Sequence, residues 1–318
     1  MEHNASDMTD EKVRHKEIVV CLFDGNYHRG AAALINSLVK SGFKGLIYIG
    51  YRGALPFWVK RLKPAGENRY YVTPDILLHF KHVDTYMHLG YYKPFIIKEA
   101  FDTYEHTNKI YYFDVDIIVK APWRLFSNWL EKGLCLCLDN SFHLLHHNHP
   151  WRKQWRLLAP LNQTDFNNID YYFNSGFLGV ERGSIVIIDR WIDFTNKYIE
   201  IGGDINRFDK NEFNYLKGDQ DLLNAAITIS PGLEMSIIGK DAMGFTNPPT
   251  MMLHAIGETK PWRNSFFIQL IKIGRKPGLA DKAFFFNCKY PICIFSDFKY
   301  NLKKFDLRVA SFFGRFLG

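Results

Sequence analysis

The sequence has few cysteines, no internal repeat and no long apolar run, and each shortage excludes a class of protein. The five cysteines are Cys21, Cys135, Cys137, Cys288 and Cys293. Their number is odd, and no two have zinc-knuckle or Cys-x-x-Cys spacing, which excludes a disulfide-framed module and a zinc ribbon. Most read as small apolar residues in strands, and a reducing compartment is their natural setting. No apolar run approaches the ~20 residues that span a bilayer. Residues 1–16 are polar, lack a signal-peptide pattern and read as a disordered lead-in. The expectation is a soluble or peripheral chain. With no low-complexity tract, 318 residues suit one large α/β domain or one domain with an appendage.

What is present is an ordinary core and an uneven charge. Hydrophobic residues make up 47% and charged residues 23%, enough apolar surface for a globular interior. The net charge is +7. From Arg263 to Gly318 there are 11 Lys/Arg and 3 Asp/Glu, giving +8, so the first 262 residues sum to −1. The same 56 residues hold 13 of the 44 Phe and Tyr. This change of composition divides the chain into a body, 17–262, and a basic aromatic extension, 263–318.

Local patterns give the body an α/β order. Glu17 to Phe23 (EIVVCLF) reads as a buried first strand, Asp24 to Tyr27 as a turn, and Gly30 to Ser41 as a helix with Leu34, Ile35 and Leu38 on one face. Strands are expected at 46–49, 110–113, 134–138 and 177–180, and helices at 92–104, 185–199 and from Asp219, the last with Asp219 as N-cap. Such an order builds a mostly parallel sheet covered by helices.

Open α/β sheets bind ligands beyond the carboxyl ends of their strands, and polar residues gather at those positions. Asp24, Asn26 and Tyr27 follow the first strand, Asp139 ends another, and Asn174 precedes a third. Asp114 and Asp116, in YYFDVDIIV, close a central strand. Two carboxylates one residue apart at a sheet rim suit Mg²⁺ or Mn²⁺, hard cations that bridge to phosphates. Two further clusters have companion chemistry. Asp219 and Asp221 open a helix in GDQDLLN, where they can also simply favour its dipole. His254, Gly257 and Lys260 lie within seven residues. There glycine allows close backbone approach, lysine supplies charge for a phosphate, and histidine can complete a metal's coordination. His143, His146, His147 and His149 form a His-rich loop read as solvent-exposed, because their spacing imposes no shared face.

These pieces, FDGNY, YYFDVDIIV, YYFNSGFLGV, DQDLLN and HAIGETKPW, run in the order of a known family. The chain resembles glycosyltransferase family 8, the GT-A-fold group containing bacterial lipopolysaccharide galactosyl- and glucosyltransferases and glycogenin. The resemblance frames residues 17–262 and implies a Rossmann-like nucleotide-diphospho-sugar transferase fold with a central, mostly parallel sheet. It also implies roles. Asp114, Asp116 and His254 would hold Mn²⁺ or Mg²⁺. Asp24, Asn26 and Tyr27 would bind base and ribose, Tyr27 stacking on uracil, and Gly257 and Lys260 would contact the diphosphate. Lys93, in Tyr92-Lys93-Pro94, would be a basic donor-binding residue. Asp139, Asn174, Asp219 and Gln220 would line the donor sugar. Gly25 departs from relatives, which often carry a second acid there. The implied reaction is hexose transfer from a UDP-sugar to a glycan or lipid-linked glycan, with retention of configuration. Gln220 would stabilise the cationic sugar during front-side attack, and Asp219 is the alternative nucleophile. An inverting transferase, or a nucleotide- or carbohydrate-binding protein of the same fold without turnover, is the alternative.

Residues 299–318 can be drawn as a helix with Leu302, Phe305, Val309, Phe312, Phe313 and Phe316 on one face and Lys303, Lys304, Arg308 and Arg315 elsewhere. Such a helix suits an anionic membrane surface or packs on its own domain. Phe266 to Ile273 could add to the same surface. Nucleic acid is not expected as a partner, because the basic residues are interleaved with Phe and no recognition motif is present. The expected location is the cytoplasm, with peripheral contact at the cytoplasmic face of a bacterial inner membrane.

Overall fold

The computed structural model describes residues 16–207, 215–216, 218–257 and 259–316. All but Lys16 of the expected N-terminal lead-in, and Leu317 and Gly318 of the expected tail helix, lie outside the described residues. The chain runs β1 (Glu17–Asp24), α1 (His28–Ser41), β2 (Gly45–Arg52), β3 (Lys63–Pro64), β4 (Arg69–Thr73), β5 (Ile76–His82), α2 (Lys93–Thr103), β6 (Lys109–Phe113), β7 (Ile117–Val119), α3 (Trp123–Leu130) and β8 (Leu134–Cys137). It continues through α4 (Pro150–Leu157), β9 (Phe177–Glu181), α5 (Val186–Glu200), α6 (Asp219–Thr228), β10 (Met235–Ile238), β11 (Met252–His254), α7 (Phe266–Ile273), α8 (Leu279–Phe286) and α9 (Asp297–Phe313).

Among the described residues, nine strands form one sheet in the order β10-β8-β9-β6-β1-β2-β5-β4-β3. Its heart is parallel: β1 pairs in parallel with both β2 and β6, and β2 with β5. Strand β1 is buried on both faces, which is why its apolar run is continuous and does not alternate. Val19, Cys21 and Phe23 face one core layer with α1, whereas Ile18, Val20 and Leu22 face another with α2, α5 and α6. Strand β9 runs antiparallel between β6 and β8. Its entry therefore lies at the carboxyl edge of the parallel strands, and Asn174, Ser175 and Gly176 arrive there just before it.

A separate antiparallel pair, β7 with β11, places His254 opposite Ile117. Beneath this pair, α1 packs with little clearance: a Cβ on Gly30 would lie 2.4 Å from the Val115 carbonyl and 2.7 Å from the Trp262 ring.

The C-terminal extension shares the α1-side core. Phe266, Leu270, Phe284, Phe285, Ile292, Tyr300, Leu307 and Ala310 are buried in it. Asn36 of α1 fastens it, donating to the carbonyls of Asn287 (2.7 Å) and Ile292 (2.8 Å) and accepting from the Ile292 N–H (2.8 Å). Helix α9 packs through Tyr300, Leu307 and Ala310, and the apolar face drawn from the sequence points away. Leu302, Phe305, Phe312, Phe313 and Phe316 are all exposed.

Candidate active site

A cleft of about 330 Å³ opens at the carboxyl edge of β1 and β6. It is lined by Asp24, Tyr27, Lys93, Asp114, Asp116, Asn174, Asp219, Gln220, His254 and Lys260, and also by His88, Ser175 and Gly176.

Asp114 leaves β6 with its N–H donating to the Gly176 carbonyl (2.7 Å), and the Tyr112 hydroxyl donates to its Oδ1 (3.0 Å). Two residues on, Asp116 meets the end of β11: the Ala255 N–H donates to the Asp116 carbonyl at 3.0 Å. That tie places His254 Nε2 3.2 Å from Asp116 Oδ1, and Lys260 Nζ 2.6 Å from Asp116 Oδ2. Burial alone would raise the Asp116 pKa, but His254 and Lys260 outweigh it and hold this carboxyl well below the usual range.

Lys93 enters from the first turn of α2 and is buried. Its ammonium lies 2.9 Å from Asp114 Oδ1 and 2.7 Å from Asp219 Oδ2. Burial opposes its charge, yet Asp114 and Asp219 together push its pKa above the ordinary lysine value. Asp219 is the first residue of α6, with Gly218 (φ 81°) as N-cap in place of the expected Asp219. Ser175 Oγ donates to Asp219 Oδ2 (2.8 Å), and the Ser175 N–H donates to Gln220 Oε1 (3.2 Å). Asn224, one turn further along α6, bonds both the N–H (2.9 Å) and the carbonyl (2.8 Å) of Phe173. Helix α6 thus fixes the 173–176 segment against Asp114.

Three expected residues do not line the cleft. Asn174 Nδ2 donates to Asp139 Oδ1 (2.9 Å), so Asp139 meets the cleft lining at Asn174. Asn26 Oδ1 accepts from Trp262 Nε1 (3.2 Å) and from Arg263 Nε (3.0 Å) and Nη2 (2.8 Å), tying the first turn to the start of the extension. Gly257 has φ 105°, a left-handed conformation that suits glycine. At the rim, Asp24 pairs with Arg52 (2.8 Å), and the Arg263 guanidinium lies 4.9 Å from the centroid of the Tyr27 ring.

Sequence reasoning missed Gly176. A Cβ there would meet His254 Cε1 at 2.6 Å, Asn174 Oδ1 at 2.9 Å and Asp114 Oδ2 at 3.1 Å. The Asn-Ser-Gly turn before the strand was its only signal. His88 was also missed, for it sits in a loop without periodicity.

The donor set fits a hard divalent ion. Asp114, Asp116 and His254 each offer a ligand atom within 4.8 Å of the others. Two carboxylates and one imidazole suit Mn²⁺ or Mg²⁺. His254 Nδ1 is buried without a hydrogen-bond partner, a costly arrangement unless something else engages the ring.

Comparison with known proteins shows the fold and the family. In fold, the chain is similar to the WbbM bifunctional glycosyltransferase, at 16% identity over 91% of this chain and 52% of that one, with a TM-score of 0.54. It is likewise similar to the glycosyltransferase GlyE of Streptococcus pneumoniae TIGR4, at 18% identity over 93% and 64%, with a TM-score of 0.51. The chain spans about half to two thirds of the length of these two proteins. No curated protein matches it. The fold is that of the GT-A glycosyltransferases. The model of the family "Glycosyl transferase family 8" matches residues 18–265, and the chain belongs to that family.

Proposed function

We propose that this chain transfers a hexose from a UDP-sugar to a hydroxyl of a glycan or lipid-linked glycan, with retention, in the synthesis of a bacterial surface polysaccharide. One observation carries the reading. Two acids and an imidazole converge at the sheet's carboxyl edge, flanked by Lys93 and Lys260, in a cleft large enough for a nucleotide-sugar's reacting end. Asp114, Asp116 and His254 would hold Mn²⁺ or Mg²⁺, which supplies Lewis-acid neutralisation of the departing diphosphate.

The chain's own residues do the rest. Lys260, tethered beside Asp116, provides a positive charge for the diphosphate. Lys93 holds Asp114 and Asp219 at fixed positions. Gln220, anchored by the Ser175 N–H, presents its amide to the sugar's cationic face, and Asp219 stands beside it. Tyr27, with Arg263 over its ring, forms a flat wall for the base. Asn174, held by Asp139, orients sugar hydroxyls.

A panel of UDP- and GDP-sugars, scored for Mn²⁺-dependent hydrolysis and thermal stabilisation, tests the donor assignment. UDP-sugars should stabilise the fold and GDP-sugars should not. Asp116→Ala should abolish both transfer and metal-dependent UDP binding, and unchanged activity would refute the metal assignment. NMR of the product should show the donor's anomeric configuration kept; an inverted product refutes retention.

The extension supports peripheral contact with an anionic bilayer. The exposed apolar row of α9 lies beside that of α7, where Ile268, Ile271 and Ile273 are also exposed, and Phe267 and Phe313 join the two at 6.1 Å. Arg308 on α9, Arg315 in the turn just after it and Lys272 on α7 supply charge around this patch, each contributing about 1 kcal/mol near an anionic surface. Among the described residues no helix is long and apolar enough to cross a membrane.

A further inference from the structure

Away from the cleft, a second set of metal-ligating side chains converges. His146, His147 and Asp170 each offer a ligand atom within 4.8 Å of the others. None of them lines the cleft. Four histidines at irregular spacing gave no reason to expect a shared site, and the fold sorts them. His149 lies outside this cluster, at the N-cap of α4, where its Nδ1 accepts from the Trp151 N–H (3.2 Å). His143 contributes its carbonyl to the Tyr172 N–H (3.3 Å). His146 and His147 remain as neighbours with ring centroids 4.1 Å apart. The chain returns beside them at Asp170, whose Oδ1 lies 2.8 Å from His147 Nδ1 and accepts the His147 N–H at 2.6 Å.

The frame around these three is rigid. The Leu145 N–H donates to the Asp170 carbonyl (2.8 Å), and Leu144 bridges to Tyr171 in antiparallel register. A fully buried guanidinium locks both strands: Arg152 donates to the carbonyls of Leu145 (3.0 Å) and Tyr171 and to Thr228 Oγ1 (2.5 Å). Ligands held on a frame of this kind need little reordering. An incoming cation would replace two contacts of Asn148, its N–H to His146 Nδ1 (3.1 Å) and its amide to His147 Nε2 (3.1 Å). Two imidazoles with one carboxylate favour a borderline transition metal over Mg²⁺, and three protein ligands leave positions for water.

We propose that His146, His147 and Asp170 form a second cation site, for a borderline transition metal such as Zn²⁺, that staples the loop following β8 to the segment leading into Asn174. It is separate from the site of Asp114, Asp116 and His254 and does not depend on the transferase reading. Its bound ion would hold together the two chain segments whose ends carry Asp139 and Asn174.

The test uses the full chain carrying Asp116→Ala, which removes the cleft's own cation site, titrated with Zn²⁺ alone by calorimetry and followed by thermal melting. One Zn²⁺ per chain is expected, with a rise in Tm that saturates with it. His147→Gln and Asp170→Asn should each weaken binding tenfold or more, while His143→Gln leaves it unchanged. His146→Gln, at an exposed position, repeats the test without touching the His147–Asp170 contact. Mn²⁺ at the same concentration should not displace the Zn²⁺. Absence of Zn²⁺ binding in the Asp116→Ala chain, binding that survives both His146→Gln and His147→Gln, or Zn²⁺ bound only in a dimer seen by light scattering would each overturn the proposal.

Discussion

The ammonium of Lys93 lies 2.7 Å from the carboxylate of Asp219, although 125 residues of chain separate them. Asp114, about 26% exposed, lies on the other side of the same ammonium and completes a triad of one buried cation and two anions. Replacing Lys93 by Met would leave the buried Asp219 carboxylate without its counter-ion and facing Asp114. The expected cost is about 3–5 kcal/mol of folding stability, with loss of turnover. Chemical denaturation and initial rates measure both, and a Lys93→Met chain as stable as the wild type would mean the triad is not formed.

Gly176→Ala tests the packing between the two halves of the cation site. The new methyl would press on His254 and Asp114, both of them residues that the donor set needs. Mn²⁺ affinity, read by electron paramagnetic resonance, should fall at least tenfold, with Tm lowered by only a few degrees. Wild-type affinity would show that this contact relaxes without consequence.

Stability should depend on pH through two histidines that do not line the cleft. Burial lowers the pKa of His28 and of His79 to about 4 in the fold, from about 6.5 when unfolded. The folded state therefore favours the neutral rings. Their contribution is fully present above about pH 6.5 and is lost as the pH falls toward 4, where the unfolded chain takes up protons first. His28 Nδ1 accepts from Trp58 Nε1 (3.3 Å), and His79 Nδ1 lies 2.6 Å from the Tyr104 hydroxyl. A His28→Gln, His79→Gln chain should show a flatter Tm between pH 6.5 and 4. An unchanged slope would assign the acid sensitivity elsewhere.

The exposed row on α7 and α9 gives a binding prediction. The full chain should float with liposomes containing anionic lipid and stay behind with neutral ones. Phe305→Asp with Phe312→Asp should remove flotation without lowering donor hydrolysis, since both side chains are exposed and far from the core contacts of α9. Failure of the wild-type chain to float would end the membrane assignment.

The sequence went furthest where local patterning suffices. The continuous apolar run of β1 reads as a buried strand, and the structure shows Ile18 to Val20 fully buried, with residues facing both core layers. Asp114 and Asp116 are held together by the chain itself, and the order of five motifs was enough to state the family. The short strands β3 and β4 escaped notice because β3 is exposed, β4 is only partly buried and both carry little periodicity. The basic helix was foreseen, but its packed face was not. Amphipathicity shows that a side is apolar, not what covers it; here Tyr300, Leu307 and Ala310 pack inward while the Phe-rich side stays open.

Chemical identity was thus written in the sequence: two adjacent acids, a His-Gly-Lys cluster and an Asp-Gln pair at a helix start. Tertiary structure alone decided their company. The pairing of β7 with β11 brings His254 to Asp116 across 137 intervening residues, α6 pins the turn holding Gly176, and Asn26 and Asp139 stand as supports behind the wall. Pairings between distant segments depend on how whole layers pack, and no local propensity encodes that.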